Sequence, residues 1–346
     1  MSRAGLLCRG SLLALLLVAC SAGKNAGIPP GLWLAGSSTA DDGLALPLAG
    51  STMYVANYYA SGVAVFPGAR KSPSRTITNG ISYPDSLTVD KSGDLYVGNY
   101  GTASGSFSSS VSVYNPGSSQ PARTITNGIF GPFAMTTDKS RKLYVANNGG
   151  DTIAIYPHGT TKPLRTISQG IHGPEALAFD SEGQLYVANW VTNDVTVYLP
   201  GKSSPATKIT DGISGPSSLT LDSANNLYVA NQRASSITVY KAGKKNRPRK
   251  ITDGIARPIV VISSAGEVYV LNYDRNTVTA YDESTLARVA TTTTGVDCPS
   301  TMALSPSGSL DVTNTCPSSV SIFSPALKLQ RALTDGISDP VAIAVR

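Results

Sequence analysis

Only two histidines occur in the 346-residue chain, His158 and His172, and His172 stands three residues before Glu175. His172 and Glu175, with Asp85, are the residue types that general acid–base chemistry uses, and they are the weak catalytic candidates here. The signal is thin. Neither histidine has a second histidine or a cysteine at ligand spacing, which argues against a zinc site of the usual kind. No glycine-rich loop sits between a strand and a helix to cradle a phosphate. A second set is aromatic. Tyr58, Tyr100, Trp190 and Tyr273 each follow an Asn that ends a recurring segment, and Arg233, Arg257 and Asp274 fall in the same kinds of connection. Rings with polar tips and scattered charges suit a small-molecule, glycan or peptide site. The plainer reading of the same rings is that they pack between neighbouring elements and cover a channel mouth.

The elements that position these residues come from one repeat. "LYVAN" and its variants end at Asn57, Asn99, Asn147, Asn189, Asn231, Asn272 and Asn314, 42 residues apart except for steps of 48 and 41. A Gly/Ser-rich insertion, "GTASGSFSSS", accounts for the longer step. After each Asn comes an alternating segment such as "VTVY", then a Pro/Gly turn, a short "RTIT" segment, and a "GIxxP" linker into "PxxLxx". Period-2 alternation between Gly, Pro and Asn turns predicts strands. Four antiparallel strands in about 42 residues make one β-propeller blade. The fold class expected is all-β: a seven-bladed β-propeller of four-stranded antiparallel blades over residues 51–346.

The strands are named a to d outward from the axis, with "PxxLxx" as a and "YVAN" as b. Strands b, c and d occur seven times, while a occurs six times between residues 84 and 304. The missing copy is the final "PVAIAV", where Ile343 stands as Leu87 and Leu177 do. The C-terminal strand therefore pairs into the first blade and closes the ring, because an open blade would leave a row of unpaired backbone groups. The rival inner strand, 44–48 "LALPL", carries Pro47, which disrupts an inner ladder. Strands alternate direction, so the d–a and b–c connections share one face, the top. His172, Glu175, Asp85 and the aromatic residues fall there, while His158 falls in a c–d turn below. The seven strand-end Asn residues read as turn devices, and Asp90, Asp138, Asp180 and Asp222 as starts of a–b turns. The Arg residues opening the d strands read as a solvated rim.

"PEALAFDSEGQLYVAN" resembles NHL repeats, and "YVAN" with a following "VxVY" is similar to the YVTN-type repeats of bacterial surface proteins. The likeness covers about residues 51–346 and implies a ring of six or seven blades. Those families hold binding modules, scaffolds and a minority of enzymes, so the fold does not deliver the function. Related-looking propellers such as streptogramin lyases and gluconolactonase-like enzymes work from the top face with His, or with carboxylates around a divalent cation. His172, Glu175 and Asp85 imitate part of that set, without a matching motif. No cofactor or metal is expected, a divalent cation in the channel being the one alternative left open. The function expected is a non-catalytic binding or scaffolding module meeting a small molecule, glycan or protein at the top face; the alternative is a lyase or lactonase-type hydrolase.

Four cysteines remain to be placed. Cys298 enters a strand a and Cys316 leaves the adjacent strand b, so both ends meet on the top face and a disulfide is expected. Residues 1–19 have Arg3 and Arg9 before an apolar run too short to span a bilayer, the pattern of a secretory signal. "LVAC" at 17–20 resembles the lipobox of bacterial lipoproteins, which implies diacylation of Cys20; the bland alternative is an ordinary signal peptide with a chance Cys. Residues 20–50 then read as the lipidated Cys and a tether. Removing 1–19 leaves 26 basic and 22 acidic residues, a net charge of +4 that names no partner. "KAGKKNRPRK" at 241–250 carries six of those positive charges, read as a hydrated loop or a contact for anionic glycan or lipid headgroups. These readings place a monomer in the bacterial cell envelope, held to a membrane by its lipid and exposed to the periplasm or the surface. Ser21 favours the outer membrane, and export argues against nucleic acid as a partner.

Overall fold

The computed structural model describes residues 51–68, 70–101 and 108–346. The signal segment, Cys20, the lead-in to residue 50 and the rival strand 44–48 lie outside the described residues. Seven four-stranded antiparallel sheets form the blades of a β-propeller, with no α-helix among the described residues. The inner strands are Pro84–Val89, Pro132–Thr137, Pro174–Phe179, Pro216–Leu221, Pro258–Ser264, Pro299–Leu304 and Pro340–Val345. Each starts on proline, the one strand position that loses no ladder bond by lacking an N–H.

Burial explains why the "LYVAN" strands read as nearly continuous apolar runs. A middle strand is covered by a neighbouring blade on each face, so all five residues of Leu143–Asn147 and of Leu185–Asn189 are buried. Five of the outer strands are three-residue pieces such as Arg75–Ile77, where only Ile77 is buried, and Arg288–Thr292 and Leu329–Leu333 run to five.

Blade 1 is completed by the other end of the chain. Pro340–Val345 pairs with Thr52–Asn57, setting Val345 opposite Met53, Ile343 opposite Val55 and Ala342 opposite Ala56. Reciprocal backbone bonds between Thr52 and Arg346 extend the ladder by one residue, at 2.7 and 3.0 Å. Ile343 is fully buried with Met53, Val55, Phe66 and residues of blade 7.

The strand-end Asn residues bridge their own b–c turns, as Asn99 does to Ser110 and Asn314 to Ser319, and also reach a second connection. Each Oδ1 accepts an N–H from the linker arriving from the preceding blade: Ser82 to Asn99, Phe130 to Asn147, His172 to Asn189, and likewise around the ring. Several Nδ2 groups donate to the glycine carbonyl of that linker, as Asn99 does to Gly80 and Asn314 to Gly295. Asn57 does both across the seam, donating to Gly336 and accepting from Ser338. The spacing showed the repeat of the residue but not its partner, which lies on a different blade's connection. The Asp turn reading holds: Asp90 accepts the N–H groups of Ser92 and Asp94, and Asp138, Asp180 and Asp222 do the same.

Closure generates a direct test. Ile343→Ala removes a fully buried side chain from the seam and should cost about 2–5 kcal/mol in chemical denaturation. A loss below about 0.5 kcal/mol, the size of an ordinary surface change, would contradict the packing described.

Candidate functional site

The top face is built on one device repeated around the ring. The residue before each inner-strand proline has positive φ: Gly131, Gly173 and Gly215 in blades 3 to 5, and Tyr83, Arg257, Cys298 and Asp339 elsewhere, at 43–50°. Non-glycine residues pay about 1–2 kcal/mol for that conformation, and a following proline disfavours it further. Hydrogen bonds on both sides hold it. Each residue's carbonyl accepts the N–H of the residue after a strand-end Asn: Asp339 from Tyr58, Tyr83 from Tyr100, Gly173 from Trp190, Arg257 from Tyr273. Each N–H donates to a side chain on the preceding blade's b–c turn, as Tyr83 does to Ser61, Gly215 to Asn193 and Cys298 to Asn276. The aromatic residues singled out in sequence therefore sit at equivalent, fixed stations.

A second device sets the channel mouth. Each inner strand bulges after its proline, so Pro84 faces Asn99 and Ser86 faces Gly98, leaving Asp85 unpaired in the ladder. Glu175 holds the same station two blades on, as do Ser217 and Ser300. A bulge re-aims the side chain it frees. The two serines satisfy themselves on the next blade, donating to the Pro258 and Pro340 carbonyls at 2.9 and 2.5 Å. The carboxylates have no such outlet. One oxygen of Glu175 is buried without a hydrogen-bond partner, and burial pushes its carboxyl well above the usual range while the Arg233 charge partly offsets this. Burial alone pushes Asp85 up to about 7, although the channel leaves it some contact with water.

The aromatic residues then divide into two kinds. Tyr58 meets Tyr83 edge-on at 5.3 Å and Tyr59 at 5.2 Å, and its hydroxyl is raised first by burial and then by the Asp85 charge. Tyr100 is raised by burial and by the same Asp85. Trp190 and Tyr273 are instead covered by cations. The Arg233 guanidinium lies 4.4 Å from the Trp190 ring centre and that of Arg257 lies 4.8 Å from Tyr273. Arg257 also pairs with Asp274 at 3.5 Å, and Arg233 donates to Asn193 at 3.2 Å. Gly215 permits the first stack, since a Cβ there would lie 2.6 Å from Arg233 Cγ. Sequence reasoning placed all these residues on one face but could not see that arginines occupy two of the four aromatic surfaces.

His172 is exposed on its linker, and its recorded bonds are backbone ones, to Asn189 and Val191. Among the described residues no hydrogen bond joins its ring to Glu175 or Asp85. His158 had no visible partner in the spacing, yet it bridges blades below: its Nε2 lies 3.0 Å from Asp94 and 3.8 Å from Asp90. Arg141 packs on the same group, 2.5 Å from His158 Nδ1 and 3.9 Å from Asp90. The expected disulfide is present, Cys298–Cys316 with Cα atoms 5.4 Å apart, joining the blade 6–7 linker to the b–c turn of blade 7. The basic run lines an open concavity of about 800 Å3 at the outer edge, away from the channel. Part of its charge is engaged: Lys245 donates to Thr207, and Arg249 to the carbonyls of Ser284 and Thr285.

Comparison with known proteins supports the architecture. Residues 162–189 match the family Strictosidine synthase-like, N-terminal, a stretch that crosses from blade 3 into the first hairpin of blade 4. No curated protein is similar to the chain in sequence. A proposed 6-phosphogluconolactonase from Bacteroides uniformis superposes with a TM-score of 0.72 at 14% identity, covering 86% of this chain and 100% of that one. A streptogramin B lyase gives 0.64 at 11% identity, over 85% and 91%. A functionally unknown protein from Desulfotomaculum acetoxidans gives 0.68 at 14% identity, over 86% and 98%. At such identities the likeness is one of fold.

The buried acid at the mouth carries a pH signature. Asp85 titrates near 7 when folded and near 4 when unfolded, so the folded state holds the extra proton between those values. Its contribution makes stability fall as pH rises from about 4 to about 7 and stay level above that. Asp85→Asn should be unchanged at pH 4 and more stable than the parent at pH 8 in urea unfolding. An equal deficit at both pH values would contradict this burial.

Proposed function

We propose that this chain is an exported, lipid-anchored propeller that binds a small molecule, glycan or protein through its top face, without catalysis. The observation that carries this reading is the unmet polar capacity at the channel mouth. Glu175 Oε2 and Gln232 Nε2 are buried without partners, and Asp85 is unpaired beside tyrosine rings. Buried polar groups left unsatisfied cost about 1–3 kcal/mol each, and a ligand supplying their partners recovers that energy. Under this reading Cys20 carries the lipid, the envelope is the location, the outer membrane is the favoured anchor, and the protein acts as a monomer with no cofactor.

The enzyme alternative rests on the lactonase and lyase among the similar folds. Proton transfer at the mouth needs a base within hydrogen-bond reach of the reacting group. The exposed ring of His172, unbonded to either carboxylate, weighs against that role.

Array screening against glycans and metabolites separates the two. A hit should weaken about tenfold or more in Trp190→Ala, while His172→Ala and Glu175→Ala leave any screened turnover unchanged; turnover abolished by His172→Ala would establish the enzyme. In the same strains, radiolabelled palmitate should enter the parent and not Cys20→Ser, and equal labelling of both would remove the anchor.

A further inference from the structure

Basic residues on the top face are confined to one sector. The d–a linkers and b–c turns contain three, Arg233, Arg257 and Arg275, all in blades 5 and 6, where Asp211, Asp253 and Asp274 accompany them. The connections around blades 7, 1 and 2 carry Asp297, Asp335 and Asp339 with no Lys or Arg, and Asp85 stands at the start of the blade 2 inner strand. The mature chain is nevertheless net basic, so this acidic sector is a local arrangement that attracts cations. Within it, Tyr58 and Tyr83 form an edge-to-face pair at 5.3 Å, and the Tyr100 N–H is fixed 3.0 Å from the Tyr83 carbonyl. Asp85 stands at the bulge beside them with no ion pair or hydrogen bond among the described residues.

We propose that the blade 1–2 sector of the top face binds an alkylammonium cation, with the Asp85 carboxylate as its counter-charge and Tyr58, Tyr83 and Tyr100 as its aromatic walls. This rests on the top-face binding reading above and gives it a ligand class. Tyrosine faces attract a desolvated organic cation through the ring quadrupole. A carboxylate placed in a protein wall without a partner costs free energy that a bound cation offsets. A hard metal ion fits this sector poorly. Calcium takes six to eight oxygens, and Asp85 belongs to neither of the groups of three metal-capable side chains among the described residues. The arginine-covered half, around Trp190 and Tyr273, repels the same ligand.

The titratable groups of this sector are Asp85, Tyr58, Tyr59, Tyr83, Tyr100 and Asp339. Burial raises Asp85 to about 7 and also raises Asp339, and it raises the hydroxyls of Tyr58 and Tyr100. Cation binding therefore strengthens from pH 6 to pH 8 as Asp85 ionises.

Titration calorimetry of the mature protein with choline chloride at constant ionic strength tests this, with 3,3-dimethylbutan-1-ol as the neutral isostere. Choline should bind about tenfold or more tightly than the alcohol. Asp85→Asn, confirmed folded by its melting curve, should lose about tenfold and most of the pH dependence. Tyr58→Leu should weaken binding, with Tyr100→Leu in its place if the first variant does not fold. Val289→Ser, an exposed change on an outer strand, should bind choline as the parent does. Equal binding of the alcohol, unchanged binding in Asp85→Asn, or no choline binding at all would overturn the alkylammonium assignment. If choline fails while an array ligand still responds to Trp190→Ala, the top-face reading stands without it; if both fail, both fall.

Discussion

A ring of β-sheets has no free edge only when its first and last sheets are complete, and in this chain that condition is met by pairing the two ends of the folded repeat. Thr52–Asn57 supplies the second strand of blade 1 and Pro340–Val345 the first. The pairing covers a backbone edge that would otherwise template association, and it buries Ile343 among residues of blades 1 and 7. Asn57 adds side-chain bonds to the arriving linker 279 and 281 residues away in sequence. In the other six blades the chain itself turns from the inner strand into the second; in blade 1 those two strands are held together by non-covalent contacts alone.

The same seam shapes the top face. Asp339 is the last linker residue before the closing strand, and its carbonyl holds the Tyr58 N–H at 3.1 Å. Asp339 in turn donates its own N–H to Ser318 on blade 7. Tyr58 is thus placed by closure, and Tyr83 and Asp85 are placed by the next linker and its bulge. The tyrosine-walled sector begins on blade 1, the blade that closure completes. One blade back, the Cys298–Cys316 disulfide fixes the corresponding linker covalently.

Much of this was legible because it is periodic or local. The 42-residue period gave seven blades, the unmatched "PVAIAV" gave the closure, and Asp90 with its copies gave the a–b turns. Cys298 and Cys316 could be paired because a strand-a start and a strand-b end meet in any antiparallel hairpin. What stayed hidden depends on contacts between blades. Asn99 bonds the linker of residues 80–82 as well as Ser110 at the end of its own turn. His158 meets Asp94 across 64 residues of sequence. Arg233 covers Trp190 because Gly215 has no side chain to block it, a matter of ångströms that spacing cannot encode. The split of one aromatic ring into a cationic half and an acidic half follows from those contacts.

Native-state amide hydrogen exchange over residues 341–345 and 53–56 addresses the closing strand most directly. The account predicts that both segments exchange only with global unfolding, at the rate of the inner strand Pro174–Phe179, because each is laddered and buried. Exchange of 341–345 at the rate of an exposed tail, with 53–56 opening ahead of the other middle strands, would show that the ends do not pair and would contradict the ring described.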